Sequence, residues 1–105
     1  MLRIYGELIE LVRDVAPLVG EMDRKDPDLA RQCRRALTSA PLNIAEGSCS
    51  RGKNRGARYH TALGSLKEVV ACFDVATALG YMPGLDAARA DRFNKIIATL
   101  VVLVR

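Results

Sequence analysis

The sequence predicts an all-α protein, a single-domain, up-down-up-down antiparallel four-helix bundle over residues 1–105. Three observations predict it. Apolar residues recur every three or four positions in four segments, the joins between these segments are short, and 105 residues suit one domain. Tryptophan is absent and Phe and Tyr are few, so we expect a core of aliphatic side chains packed helix on helix.

The first helix is predicted over residues 2–23. Its apolar residues alternate at spacings of three and four: Met1, Ile4, Leu8, Leu11, Val15, Leu18 and Met22. Pro17 lacks an N–H, so we expect one helix with a bend near Arg13 rather than two helices.

The second helix is predicted over residues 27–46. Asp26 is a good N-cap, and Pro27 suits the first helical position because its fixed φ is already helical. Gly47 is expected to be the C-terminal cap, since glycine readily takes a positive φ.

The third helix is predicted over residues 54–79, after a basic loop at 48–56 and before a terminating Gly80. The fourth is predicted over residues 85–104, with Asp86 as a possible N-cap. Residues 100–104 are apolar on all sides, so we expect another subunit to cover them. A β-like tail or a fully buried end is the alternative.

Charge and cysteine content narrow the functional classes. Sixteen Lys and Arg against twelve Asp and Glu give a net charge of +4, which suits an anionic partner such as nucleic acid. Three widely spaced cysteines without a C-x-x-C pattern indicate neither a disulfide framework nor a zinc site, and favour the cytoplasm. No apolar run is long enough for a membrane span, so no membrane partner is expected.

Basic residues cluster before and after the predicted second turn. The candidate nucleic-acid-binding residues are Arg34, Arg35, Arg51, Lys53, Arg55 and Arg58. Gly52 and Gly56 let the backbone approach phosphates, and Tyr59 offers a ring for stacking. We therefore expect phosphate-led, salt-sensitive binding without base reading. The alternative is a basic loop that is simply solvated.

Polar residues on the facing helices form a second pattern. The candidate structural residues are Ser39, Asn43, Glu46, Gly47, Ser65 and Glu68, which we expect to satisfy backbone donors and fix the turn. A di-metal site would need Glu-x-x-His, but Ala71 and Cys49 stand three residues after Glu68 and Glu46. We therefore predict no catalytic residues, no metal, no cofactor and no enzymatic activity, with chemistry at these two glutamates as the most remote alternative.

Three segments resemble a known family. Residues 32–36 read Gln-Cys-Arg-Arg-Ala, residues 39–47 end in Asn-Ile-Ala-Glu-Gly, and residues 62–68 contain Gly-Ser-Leu-Lys-Glu. Together with Arg51, they resemble bacterial four-helix-bundle proteins first noticed as products of intervening sequences in large-subunit ribosomal RNA genes. The accessory variability determinant of diversity-generating retroelements is similar to these proteins.

The resemblance implies a homopentamer without enzymatic activity. In retroelement members, it further implies a basic surface that meets nucleic acid and a reverse transcriptase partner. Residues 48–50 and Gly56-Ala57 depart from the family pattern, within the predicted basic region. The leading hypothesis is a cytoplasmic, non-enzymatic homo-oligomer, a pentamer, that binds RNA or DNA backbone. The alternative is a protein–protein adaptor or structural ring that binds no nucleic acid.

Overall fold

The computed structural model describes residues 2–105 and shows four α-helices and no strand in that part of the chain. Helix α1 spans Arg3–Lys25, α2 spans Pro27–Cys49, α3 spans Lys53–Ala78 and α4 spans Ala87–Leu103. Each helix contacts the next in chain order, α4 returns to α1, and the largest interface joins α2 to α3. The predicted all-α, up-down-up-down bundle is confirmed, with dimensions of 43 × 25 × 21 Å.

Both internal prolines lie within continuous helices. Pro17 is inside α1 and Pro41 is inside α2. Helix α1, which has 23 residues, is therefore one continuous helix, as the sequence predicts. The bounds of α1, α3 and α4 all fall within two residues of the predicted ones.

Helix α2 is longer than predicted, and the expected role of Gly47 was wrong. Gly47 is a buried residue inside the helix. The last helical residue is Cys49, and Ser50 is the C-cap. A Cβ at Gly47 would lie 2.5 Å from Cε1 of Tyr59, so the missing side chain makes room for the Tyr59 ring on α3. Tertiary packing, not a positive φ, therefore requires glycine here.

The predicted N-caps of α2 and α4 are confirmed. Asp26 accepts a hydrogen bond from the Leu29 N–H at 3.0 Å, and Asp86 accepts one from the Arg89 N–H at 2.7 Å. Each carboxylate satisfies one of the free N–H groups at its helix start. The Tyr81 hydroxyl also donates to Asp26 at 3.2 Å, which ties the α3–α4 connection to the start of α2.

Gly80 terminates α3 as predicted. It has a φ of 77°, and the N–H groups of Gly80 and Tyr81 donate to the carbonyls of Thr77 and Ala76 at 3.0 and 2.9 Å. This pair of reversed bonds is a Schellman motif, which satisfies the last carbonyls of the helix. The chain then turns towards α4.

The core is apolar, and no buried polar or charged residue occurs in the described part of the chain. Cys33 and Cys72 belong to this core, as small hydrophobic residues, from the facing helices α2 and α3. Burial raises the pKa of the Cys33 thiol to about 12. Cys33 therefore stays protonated and unreactive at neutral pH.

The apolar C-terminal turn is largely covered by the chain itself. Leu100 is buried and residues 101, 103 and 104 are half-buried, whereas Val102 is 61% exposed. The last turn is helical, so the β-like alternative was wrong. At this end, Val102 is therefore the apolar side chain available for contact with another subunit, rather than all of residues 100–104.

Candidate nucleic-acid interface

The connection between α2 and α3 is only three residues long. Ser50 is extended with a φ of −96°, and Gly52 has φ 59° and ψ −135°, a conformation that a side chain strongly disfavours. The predicted loop at 48–56 was therefore too long, because helix occupies both of its ends. Residues 50–55, hereafter the tip, include this connection and the first turn of α3.

The tip holds three cations without an acidic partner. Arg51, Lys53 and Arg55 are exposed, and none of them forms a salt bridge within residues 2–105. The Arg55 side chain donates a hydrogen bond from Nε to the Ser50 carbonyl at 3.0 Å. This bond holds its guanidinium beside the turn and keeps its charge at the surface.

The other predicted basic residues are placed differently. Arg58 pairs with Glu46 at 3.0 Å, and Arg34 pairs with Asp23 at 3.6 Å. Both pairs are about half exposed, so each contributes little to stability but neutralises its cation locally. Arg35 forms no salt bridge with any acid in residues 2–105, but it lies with Arg34 about 20 Å from the tip along α2. The six candidates therefore form two groups, with Arg51, Lys53, Arg55 and Arg58 together.

The aromatic contribution expected from Tyr59 is absent. Tyr59 is 3% exposed because its ring packs over Gly47, so the prediction that it stacks on a base was wrong. Tyr59 instead holds α3 against α2 directly below the tip.

Arg3 is a tip-side cation that the sequence reasoning missed. Leu2 lines a small depression together with Ser48, Arg55 and Tyr59, which places the start of α1 at the same end as the tip. Arg3, the first residue of α1, is exposed and makes no salt bridge within the described residues. The alternating direction of the helices was the available signal, since α1 and α3 must begin at the same end.

Three of the predicted structural residues form a hydrogen-bonded link between α2 and α3. Ser65 Oγ donates to Ser39 Oγ at 3.0 Å, and Asn43 Nδ2 donates to the Ser39 carbonyl and Oγ at 2.9 and 3.1 Å. These partners lie in the helices themselves, not at the turn as expected. Satisfied polar groups between two helices fix their register, so this link sets where the tip begins.

The two glutamates of the motif, Glu46 and Glu68, lie far apart. Glu46 pairs with Arg58, which precedes Glu68 by ten residues on the same helix, a separation of about 15 Å. Two carboxylates that far apart cannot share one proton-transfer site. No group of three His, Cys, Asp or Glu side chains in residues 2–105 is arranged to hold a metal ion.

A polar cleft of about 570 Å³ runs between α2 and α3. Among the side chains that line it are Gln32, Arg35, Ser39, Ser65 and Glu68. In the sequence, Arg35 and Glu68 belong to different patterns, the basic cluster and the polar motif. Their shared cleft follows from the helix register, which the Ser39–Ser65 bond fixes.

None of the helices in residues 2–105 has the length and apolar character needed to cross a membrane. The described chain therefore combines an antiparallel bundle, a polar link between α2 and α3, and a compact cationic turn. These features define a class of small helical-bundle protein.

The family within that class follows from comparison with known proteins. The model of the 23S rRNA-intervening sequence protein family matches residues 1–101, and the chain belongs to this family. The resemblance over residues 32–68 thus extends to almost the entire chain. No curated protein shows significant similarity to it.

Proposed function

We propose that this protein binds the phosphate backbone of RNA or DNA at the tip, as a non-enzymatic homo-oligomer. The observation that carries the proposal is the set of three exposed cations, Arg51, Lys53 and Arg55, that no acid in the described chain neutralises. Phosphate contacts of this kind supply most of the affinity in binding that ignores base sequence.

The N-terminus of α3 supports the same proposal. Its N-cap is Gly52, no side chain caps its free N–H groups, and its first turn contains no acid. Lys53 and Arg55 instead place positive charge at the positive end of the helix dipole, where an anion is favoured. A bound phosphate would receive hydrogen bonds from this end and relieve the repulsion among the cations.

The aromatic side chains support backbone binding over base stacking. All Tyr and Phe side chains in residues 2–105 are buried or half-buried, and Tyr59 beside the tip is buried. Because stacking on aromatic rings is a main source of affinity for unpaired bases, we expect little preference for single strands. The family name links its members with 23S rRNA, so RNA is the first nucleic acid to test.

Self-association, with a pentamer as the expected form, is the second part of the proposal. Four large hydrophobic side chains are exposed in the described part of the single chain: Leu42, Val75, Leu79 and Val102. A ring would cover some of these residues and repeat the tip once per subunit, which would raise the avidity for a long polyanion. The same exposed residues favour the alternative of a protein–protein adaptor or structural ring.

A salt titration with a matched charge control tests the nucleic-acid part. Binding of a labelled RNA duplex is measured from low to physiological salt, where each neutralised phosphate contributes about −0.7 to −0.9 to the slope of log K against log salt. Replacing Arg51, Lys53 and Arg55 with Ala is expected to weaken binding at least about tenfold and to flatten this slope.

The control replaces Arg13, Arg24 and Lys25 of α1 with Ala, which removes two Arg and one Lys outside the tip. It should retain most of the affinity. Equal losses in the two triple variants would contradict a site at the tip. No binding at low salt would support the adaptor instead.

A further inference from the structure

The α2–α3 cleft contains two opposite charges that remain unpaired. Arg35 lies on α2 and Glu68 on α3, and both line the cleft. Neither forms a salt bridge within residues 2–105, although each borders the same 570 Å³ space. Arg31 also lines the cleft, but it pairs with Asp28 at 2.8 Å. The cleft therefore offers one unpaired cation and one unpaired anion to whatever covers it.

Exposed apolar residues flank these charges. Leu42 follows Arg35 by seven residues on α2, and Val75 follows Glu68 by seven on α3, so each shares a helix side with its charged partner. Leu42 is 63% exposed and Val75 is 44% exposed. Protein contact surfaces combine apolar contacts with a small number of paired polar groups, and the cleft and its flanks offer both.

We infer that a second copy of this chain covers the cleft, with Arg35 of one copy facing Glu68 of the next. The inference rests on the self-association proposed above and assigns its surface. Arg35 and Glu68 belong to different helices on one outer face, so a copy that sets its α3 against this α2 brings opposite charges together. Repeating that head-to-tail contact by rotation produces a closed ring.

Charge complementarity selects a second copy over an anion. A phosphate attracted by Arg35 would meet the carboxylate of Glu68 in the same cleft, and like charges oppose binding. In a head-to-tail ring, one neighbouring copy supplies a carboxylate for Arg35 and the other neighbouring copy supplies a guanidinium for Glu68. Tip and cleft therefore have separate roles, the first towards nucleic acid and the second towards the neighbouring subunit.

Charge reversal tests this assignment through the mass of the particle in solution. Arg35→Glu or Glu68→Arg alone would place like charges in contact and raise the dissociation constant of the contact roughly 100-fold or more. Light scattering at micromolar concentration should then show a shift towards monomer. The double variant, Arg35→Glu with Glu68→Arg, restores opposite charges and should regain the wild-type mass.

The exposed pair on α1 provides matched controls. Arg13→Glu and Glu10→Arg make the same charge changes outside the cleft and should leave the mass unchanged. Circular dichroism confirms that each variant remains helical. Leu42→Asp is a second probe, because a side chain exposed in the single chain can be replaced without loss of the core, and it should also dissociate the particle.

The outcomes separate the two levels of inference. A wild-type protein that is monomeric at micromolar concentration overturns the proposed self-association. A wild-type oligomer whose mass survives both single reversals, or is not regained by the double variant, overturns the cleft assignment and leaves self-association standing.

Discussion

The helix N-termini at the two ends of the bundle carry side chains of opposite charge. At the end where α2 and α4 begin, Asp26 and Asp86 each cap a helix through a side-chain hydrogen bond. At the tip end, where α1 and α3 begin, neither helix has a side-chain cap, and each starts with a cation, Arg3 or Lys53. One end thus places negative charge on the positive helix ends, and the other adds positive charge to them.

Ion pairing increases this contrast. The capped end has Arg31–Asp28, Arg34–Asp23 and Arg89–Asp86 pairs, whereas Arg58–Glu46 lies near the tip. Exposed pairs of this kind add little stability, but they cancel the local field. The position of the cations relative to acids and helix ends, rather than the net charge of +4, therefore distinguishes the tip.

The largest loss of stability is expected from a substitution that disrupts the packing beneath the tip. Gly47→Ala places a Cβ 2.5 and 2.7 Å from two ring carbons of buried Tyr59, so the ring must move. We expect a loss of about 2 kcal/mol in the free energy of unfolding, measured with urea, because overpacking outweighs the better helix propensity of Ala. Gly20→Ala in α1 is the control, since its Cβ meets no atom within 4 Å and should stabilise by about 0.5–1 kcal/mol. Equal effects at both positions would contradict the packing role of Gly47.

The next effect is a pH dependence of the core between α2 and α3. Burial raises the pKa of the Cys33 thiol to about 12, while the unfolded thiol ionises near 9.0. The native state therefore keeps a proton that the unfolded state releases, and this contribution to stability is full below pH 9 and is lost progressively as the pH rises from 9 towards 12. From pH 8 to pH 10 the wild type should lose about 1.4 kcal/mol more than Cys33→Ala, measured by urea unfolding.

Val15→Ala controls for the cavity that Cys33→Ala leaves. Val15 is a buried, non-titrating residue, so its variant should lose stability at both pH values and keep the wild-type pH slope. The same slope in the wild type and in Cys33→Ala would exclude the thiol as its source.

A smaller effect tests the capped end. Asp26→Ala removes the acceptor for the Leu29 N–H and for the Tyr81 hydroxyl, and it should cost about 1 kcal/mol in thermal or urea unfolding. Asp26→Asn keeps an oxygen acceptor at the N-cap and should remain close to the wild type. If both variants lost the same stability, the charge of Asp26 rather than its hydrogen bond would be responsible.

The smallest stability effect belongs to the tip. Replacing Arg51, Lys53 and Arg55 with Ala should change the free energy of unfolding by less than about 0.5 kcal/mol, with a slight gain from reduced repulsion at the start of α3. The same variant is the one expected to weaken nucleic-acid binding. Thermal unfolding measured without ligand separates these two properties, and a large loss of stability would contradict a purely functional role.

Local rules predicted much of the fold from the sequence. Apolar spacing predicted four helices. Asp26 and Asp86 were identified as N-caps and Gly80 as the end of α3, because capping depends on residues close in the chain. Gly47 was misassigned because a glycine at a helix end and a glycine under a packed ring have the same local sequence signature. Only the position of Tyr59 on another helix distinguishes them.

The candidate site was less predictable for a related reason. A cation becomes available to phosphate only when no acid lies beside it, and acids can come from distant positions. Asp23 meets Arg34 and Glu46 meets Arg58 across separate helices, whereas Arg51 has no such neighbour within the described residues. Helix register also joins Arg35 to Glu68 in one cleft, which no local pattern indicates.

The three-residue connection at the tip also has a consequence for the folding pathway. It joins the two helices that share the largest interface, so these contacts form with little loss of loop entropy. We expect the α2–α3 hairpin to be structured in the folding transition state, before α1 and α4 complete the bundle. Stopped-flow kinetics should show that Leu66→Ala slows folding, whereas Leu100→Ala mainly accelerates unfolding.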